Sequence, residues 1–457
     1  MRHRRVLTIK EMENIMDIEL DPGMVTLLTL AFSMLAGLVL SRAAKVFRLP
    51  AVTSYIVAGI LIGPYVLGQF TGSFGLGFDL DANSTGKYEI ICDVALAFIA
   101  FSIGNEFRLS ALKKTGKQAT IVAIVQAIMA TVFVDIALIA LTFIFKNEIT
   151  IADAIILGAI ATATAPAATI MVLRQYKAKG EVSGILLPIV ALDDAVGLIV
   201  FAVSFGIAKS LVSGAAISII TVVVNPLIEV VGSLGLGFLL GIAFSWFEKH
   251  FNSNSKRLTL SLMFVVFAQA ISMLEISIGD VKIAFSSLLV CMMLGSVFCN
   301  VCDFSEELMG RVDKWTSPLL LLFFVISGAE LDLTVFANYV VVVIGIVYIV
   351  ARSAGKIFGA TVSSKATHCG KNVQKYLGIT LLPQAGVALG MCMTAYSTLS
   401  AYGDSGGALI RNITLFAVLI YEIFGPVLTK FALTKAGEIH PKTEYPSLPA
   451  LDEEEEE

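Results

Sequence analysis

Charge is the scarce ingredient of this sequence. The 457 residues include 32 Lys and Arg and 36 Asp and Glu, so 15% are charged, against about 25% in ordinary soluble domains. A soluble enzyme with 57% of its residues in the apolar set would expose too much apolar surface to stay dispersed. Nucleic-acid binding lacks its electrostatic footprint, because basic residues are few and the pI is near 5.7. Neither an HExxH motif nor a Ser/His arrangement points to intramembrane chemistry. The chain is therefore expected not to be an enzyme and to need no cofactor. Of six cysteines, two form a lone CxxC, Cys299-Asn-Val-Cys302. It lacks the second pair that a zinc site needs, so free thiols at a helix end are expected.

Apolar length is what the sequence has in abundance. Runs fall at 24–46, 50–69, 88–107, 118–145, 150–173, 182–208, 216–247, 258–274, 282–299, 315–330, 336–362, 375–398 and 408–433. A bilayer crossing takes about 20 apolar residues, so the fold class is all-α, a polytopic membrane protein of about thirteen transmembrane helices. Lys and Arg fall unevenly between them: alternate connections hold 21 in one set and 5 in the other. The richer set belongs in the cytoplasm, which puts the C-terminus inside and, with an odd count, the N-terminus outside. The basic residues Arg2, Arg4, Arg5 and Lys10 pull the other way. The run Glu453–Glu457 is expected to be part of a disordered, solvated tail over 434–457.

Ionisable groups within spans cost several kcal/mol each and are functional candidates by default. Asp193 and Asp194 share span 6, in LLPIVALDDAVGLIV, and Arg352 and Lys356 share span 11, in IVARSAGKIFGA. Two acids in one span and two bases in another suggest pairing across helices. Neighbouring helical residues point about 100° apart, so one acid can hold a structural cation while the other faces a water-filled cavity. Two carboxylates this close resist simultaneous ionisation, so protons and cations compete for them. Asp135 in span 4 and Glu422 in span 13 are candidates for a relay or for holding Arg352. Asn105 and Glu106, at the cytoplasmic end of span 3, are candidates for lining an access funnel or sensing pH.

Two spans are interrupted. Span 5 reads LGAIATATAPAATIMVL, with Thr162, Thr164 and Pro166; span 12 reads LGITLLPQAGVALGM, with Pro383, Gln384 and Gly386. Proline removes an N–H and clashes with the preceding turn, which frees carbonyls and hydroxyls that can coordinate a hard cation. Non-helical backbone at this depth is tolerated beside a cavity. A pair of interrupted, antiparallel spans is the sign of an inverted-repeat secondary transporter.

At these residues the sequence resembles the cation:proton antiporter superfamily, in its bacterial branch with an Asp-Asp pair. RLPAVTSYIVAGILIGPYVLG (48–68), ATATAPAATIMVL (161–173), ALDDAVGLIV (191–200) and GKIFG (355–359) carry the likeness in that order. The resemblance implies an inverted-repeat fold with two broken crossing helices. It implies scaffold helices over 24–107 and 258–330, core repeats over 118–208 and 336–433, a linker helix over 216–247 and an N-terminal tail over 1–23. It also implies that Asp194 is the main carboxylate for cation and proton. Na+ then sits at Asp194 and Thr164, with Thr162 a further ligand candidate, and Asp193 pairs with Lys356 when no cation is bound. Arg352, one turn away, competes for the same acids. Some relatives carry Asp where this chain has Ala165.

The expected function is sodium/proton antiport in a bacterial cytoplasmic membrane, with lithium a further substrate. Elevator-like alternating access, electrogenic exchange and a homodimer are implied by the same resemblance. Its partners would be monovalent cations, protons and the lipid bilayer, with no nucleic acid. A potassium/proton or mixed-cation exchanger, and a sodium-coupled organic-anion symporter on a similar scaffold, remain open at this stage.

Overall fold

In a computed structural model the chain is nearly all helical. The structure describes residues 21–47, 51–71, 77–78, 88–105, 107–146, 148–165, 169, 172–173, 176–212, 225–251, 253–274, 276–278, 281–302, 304–331, 333–401 and 406–439. The helices are α1 (Pro22–Phe47), α2 (Ala51–Ile62), α3 (Glu89–Asn105), α4 (Leu109–Ile144), α5 (Ile151–Ile160), α6 (Glu181–Val212) and α7 (Asn225–Glu248). There follow α8 (Asn254–Ser272), α9 (Ser287–Val301), α10 (Ser305–Ala329), α11 (Tyr339–Ala366), α12 (Lys371–Thr380), α13 (Gly386–Ala401) and α14 (Gly406–Lys435). An antiparallel hairpin, Ile276–Ile278 with Val281–Ile283, joins α8 to α9.

Hydrocarbon offers no partner to a backbone N–H or C=O, and a helix satisfies both within one segment. Among the described residues six helices are long and apolar enough to cross a membrane: α1, α4 from Gly116, α7 from Leu227, α10, α11 and α14. Shorter apolar helices fill in between, α2, α5 and α9 among them. The two interrupted spans account for part of that shortness. Span 5 leaves the helix over residues 161–165, after Ile160, and span 12 divides into α12 and α13 around residues 381–385.

Three boundaries differ from the sequence expectation. Helix α10 begins at Ser305 rather than near 315, because its first turns carry Glu306, Glu307, Arg311, Asp313 and Lys314 and hydropathy misses them. Helix α4 begins at Leu109 and bends at Gly116, whose φ of +76° is open to glycine at little cost. Helix α14 continues to Lys435, and the chain beyond it packs as far as Ile439, so 434–439 is not part of a disordered tail. Glu438 accepts hydrogen bonds from the backbone N–H groups of Val182 (2.6 Å) and Ser183 (2.9 Å), capping the N-terminus of α6.

The helices sort by packing into two groups. In one, α10 lies against α1, α2 and α3, and α9 lies against α3, α7 and α8. In the other, α4 lies against α5, α6 and α11, and α14 lies against α11, α12 and α13. Close approach within each group rests on missing side chains. A Cβ at Gly59 would fall 1.9 Å from the Val325 carbonyl oxygen, and one at Gly355 would fall 2.7 Å from that of Met129. Fewer contacts join the groups. Two of them are polar: Thr53 of α2 donates to Glu422 of α14 (3.2 Å), and Arg411 of α14 stands 3.7 Å from Glu330 at the end of α10.

Candidate functional site

The two helix breaks cross and bond to each other. The Ala165 N–H donates to the Pro383 carbonyl (2.8 Å), the Thr169 hydroxyl to the Thr380 carbonyl (3.2 Å), and the Gln384 amide to the Ile160 carbonyl (2.9 Å). Each break thus supplies partners for backbone groups that the other leaves outside a helix. Pro166 lies outside the described residues.

Arg352 completes this arrangement. Its Nε donates to Ala161 O (3.0 Å), Nη1 to Leu382 O (2.7 Å) and Nη2 to Ala163 O (2.6 Å). One planar guanidinium therefore ties carbonyls of both breaks, a use of its fixed fork that a lysine could not reproduce. Its central carbon also stands 4.5 Å from the Tyr421 ring centre. Among the described residues its hydrogen bonds go to carbonyls and not to a carboxylate, contrary to the expected competition for Asp193. Asp135 and Glu422 do not hold it either. Glu422 accepts from Thr53, and Asp135 stands on α4 against Gly158 of α5.

Lys356 pairs with Asp193. Its Nζ lies 2.7 Å from Asp193 Oδ2 and donates to Thr164 Oγ1 (2.8 Å) and to the Thr162 carbonyl. Both charged side chains are 0% exposed. The Thr164 hydroxyl in turn reaches Asp193 Oδ2 and the Leu381 carbonyl (3.2 Å). Asp193 Oδ1 accepts from Gln126 Nε2 of α4. Thr162 turns its own hydroxyl back to Ala159 O (2.6 Å), so it offers Lys356 a carbonyl. The glycines of GKIFG place the lysine: Gly355 and Gly359 let α11 lie directly on α4, where a Cβ at Gly359 would fall 2.7 Å from Gln126 Cα.

Asp193, Lys356, Thr164, Thr162, Arg352, Pro383 and Gln384 thus converge, from four elements, at one buried crossing. Asp194 follows Asp193 in α6, but its side chain lies outside the described ones, as does Glu106 altogether. Asn105 ends α3 beside Gly295 of α9. Arg108 bonds Ser305 (3.0 Å) and pairs with Glu306 (3.0 Å). Sequence reasoning missed Gln126 and Tyr348, whose hydroxyl holds the Gln384 amide (3.1 Å). A lone Gln within IVAIVQAIMATVFV was the available signal, and attention to ionisable residues passed over it.

Among the described residues no cluster of three His, Cys, Asp or Glu is placed to hold an ion, and all six cysteines are free and buried. Burial pushes the Cys302 thiol up to about 11, away from the thiolate that metal binding and redox exchange need.

Comparison with known proteins fits this geometry. Residues 30–435 match the family described as sodium/hydrogen exchanger, transmembrane. The chain belongs to that family. It is therefore a multi-pass membrane protein of a sodium/proton antiporter family, whose members are transporters rather than enzymes. It is 24% identical over 354 residues to the Na+/H+ antiporter NhaS4 of Synechocystis, covering 75% of this chain and 82% of the relative. A stretch of 80 residues, 18% of this chain and 10% of the relative, is 38% identical to cation/H+ antiporter 15 of Arabidopsis thaliana. The fold is that of the sodium proton antiporter MjNhaP1 from Methanocaldococcus jannaschii, with a TM-score of 0.67 at 17% identity, covering 89% of this chain and 97% of that one.

Proposed function

We propose that this protein exchanges cytoplasmic Na+ for external H+ in a bacterial cytoplasmic membrane, with the crossing of the two broken helices as its ion site. The observation that carries the reading is the dry Asp193–Lys356 pair at that crossing, sharing Thr164. A neutral ion pair can stay out of water at modest cost, whereas either charge alone cannot. Asp193 already has Gln126, Thr164 and Lys356 as partners, which leaves Asp194 as the carboxylate for the travelling ion. A sodium ion bound at Asp194 and Thr164 draws on Asp193 as well and releases Lys356. Proton uptake restores the pair when the cation leaves, and coupling follows because cation and proton compete for the same oxygens. One acid and one lysine changing charge together move two protons for each sodium, so the exchange is electrogenic.

The group holding α4–α6 and α11–α14 moves as a core against the group holding α1–α3 and α8–α10, with α7 as the connection and a second copy of the chain on the scaffold side. The sparser contacts between groups support this elevator reading. Proteoliposomes loaded with a pH-sensitive dye test it. Sodium should drive proton movement in the wild type, lithium should substitute, potassium should not, and Asp194→Asn should be inactive. Retained sodium-dependent exchange in Asp194→Asn would remove that residue from the site.

A further inference from the structure

Gln126 is the polar member of the crossing that the exchange cycle leaves half used. It stands on α4, fully buried, where Gly359 of α11 packs on its Cα and Asp193 of α6 meets its amide. An uncharged amide carries two N–H donors and one accepting oxygen. Nε2 donates to Asp193 Oδ1 and to the Ala123 carbonyl (2.9 Å). Both neighbours on that side are acceptors, so a flipped amide would set oxygen against oxygen. The surroundings therefore fix Nε2 toward Asp193 and turn Oε1 away from it.

Among the described residues Oε1 has no hydrogen-bond partner, and it is buried. It differs in this from the other described side-chain oxygens of the crossing. Those of Asp193, Thr164, Thr162, Gln384 and Tyr348 each take part in a hydrogen bond. A buried amide oxygen without a partner is costly, and an apolar side chain of similar size would fill the place without that cost. What such an oxygen suits is a hard cation, which carbonyl oxygens can coordinate in place of water.

We propose that Gln126 is a ligand of the travelling cation as well as the support of Asp193. Oε1 gives the ion a neutral oxygen beside Asp193 and the Thr164 hydroxyl. This deepens the antiport reading above and rests on it. When sodium releases Lys356, Gln126 keeps its hold on Asp193 Oδ1, so the acid stays in place as its other partner leaves. The number and field strength of the oxygens around an ion set which ion is preferred. Lithium, the smaller ion, needs fewer oxygens than sodium, so loss of one oxygen weakens sodium more.

Full-length protein, purified and in proteoliposomes, tests this. Gln126→Leu fills the same place and removes the oxygen. It should raise the sodium KM about tenfold and the lithium KM about threefold, on the scale of one polar contact with a charge. Gln126→Asn, which keeps the amide on a shorter stem, should fall between wild type and Gln126→Leu. Sodium should raise the unfolding temperature of the wild type in detergent, as a ligand of the folded state does, and raise it less in Gln126→Leu. Unchanged KM values would overturn the proposal. Equal increases for sodium and lithium would overturn it too, because a residue that only holds Asp193 weakens both ions alike. If Gln126→Leu does not fold, Gln126→Met carries the same comparison. Wild-type proteoliposomes without sodium-dependent proton movement would overturn the antiport reading instead. The unfolding temperature then decides on Gln126: the ligand stands if sodium or lithium stabilises the wild type more than Gln126→Leu, and falls if the two proteins respond alike.

Discussion

Lys356 and Asp193 meet at 2.7 Å, on α11 and α6, with neither side chain open to solvent. Removing one member of such a pair strands the other as a bare charge in a dry site, at a cost of about 3–5 kcal/mol. Lys356→Ala should therefore lower the thermal stability of the detergent-purified protein sharply. Adding Asp193→Asn to it should recover much of that loss, since no charge is then left alone. A double variant as unstable as the sum of the two single variants would show that the pair is not coupled.

Arg352 predicts a different pattern. Its three hydrogen bonds go to backbone carbonyls of both breaks, so geometry matters there as well as charge. Arg352→Lys keeps the charge and loses the fork. It should cut exchange at least tenfold in proteoliposomes and cost about 2–3 kcal/mol in thermal unfolding, since carbonyls remain buried without donors. Near wild-type exchange in Arg352→Lys would mean that the positive charge alone is what the site requires.

Much of the site was legible because it breaks rules that sequence displays openly. Charge is scarce, so Asp193, Asp194, Arg352 and Lys356 stood out, and proline within a span announces freed backbone. What sequence could not give was the pairing. Whether Arg352 or Lys356 meets Asp193 depends on one turn of α11 and on how closely it lies on α4, which Gly355 and Gly359 decide in three dimensions. Gln126 was hidden for a related reason: an uncharged side chain in an apolar run carries no mark of what it bonds. The start of α10 was missed because helical residues facing water at a membrane surface read as a loop by hydropathy.

Glu438 offers a test of local structure far from the crossing. Its carboxylate holds two N–H groups at the start of α6, the helix that carries the aspartates. Loss of such a cap costs about 1 kcal/mol, and the helix dipole favours the negative charge there. Glu438→Ala should lower stability by about that amount, and Glu438→Gln by less, because it keeps one acceptor oxygen. Hydrogen exchange should quicken at Val182 and Ser183 in the alanine variant before it quickens elsewhere in α6.

For Cys302, burial holds the thiol near 11, and alkylation proceeds through the thiolate. Its modification by iodoacetamide, followed by mass spectrometry, should be slow at neutral pH and rise about tenfold per pH unit toward 11. A plateau near pH 8 or 9 would show an ordinary, solvated thiol and reopen the CxxC as a redox site.

Glu330 and Arg411 link the two packing groups at 3.7 Å, with both side chains mostly buried. Arg411 also stacks on Tyr396 of α13, its central carbon 4.0 Å from the ring centre. The pair sits at the end of α10 farthest from Ser305, opposite the end that bears Asp313. A tie between the groups there favours the arrangement in which they touch at that end, and the core movement proposed above would have to break it. Arg411→Gln leaves Glu330 without its cation, so the buried carboxylate favours separation of the groups and entry of water. Cys392 lies buried on α13 within electrostatic reach of both residues. In a variant with the other five cysteines replaced, Arg411→Gln should make Cys392 react faster with a membrane-impermeant maleimide applied from that face. The charge-swapped double variant Glu330→Arg, Arg411→Glu should slow it again. Unchanged labelling in Arg411→Gln would show that apolar contacts, rather than this ion pair, keep the groups together there.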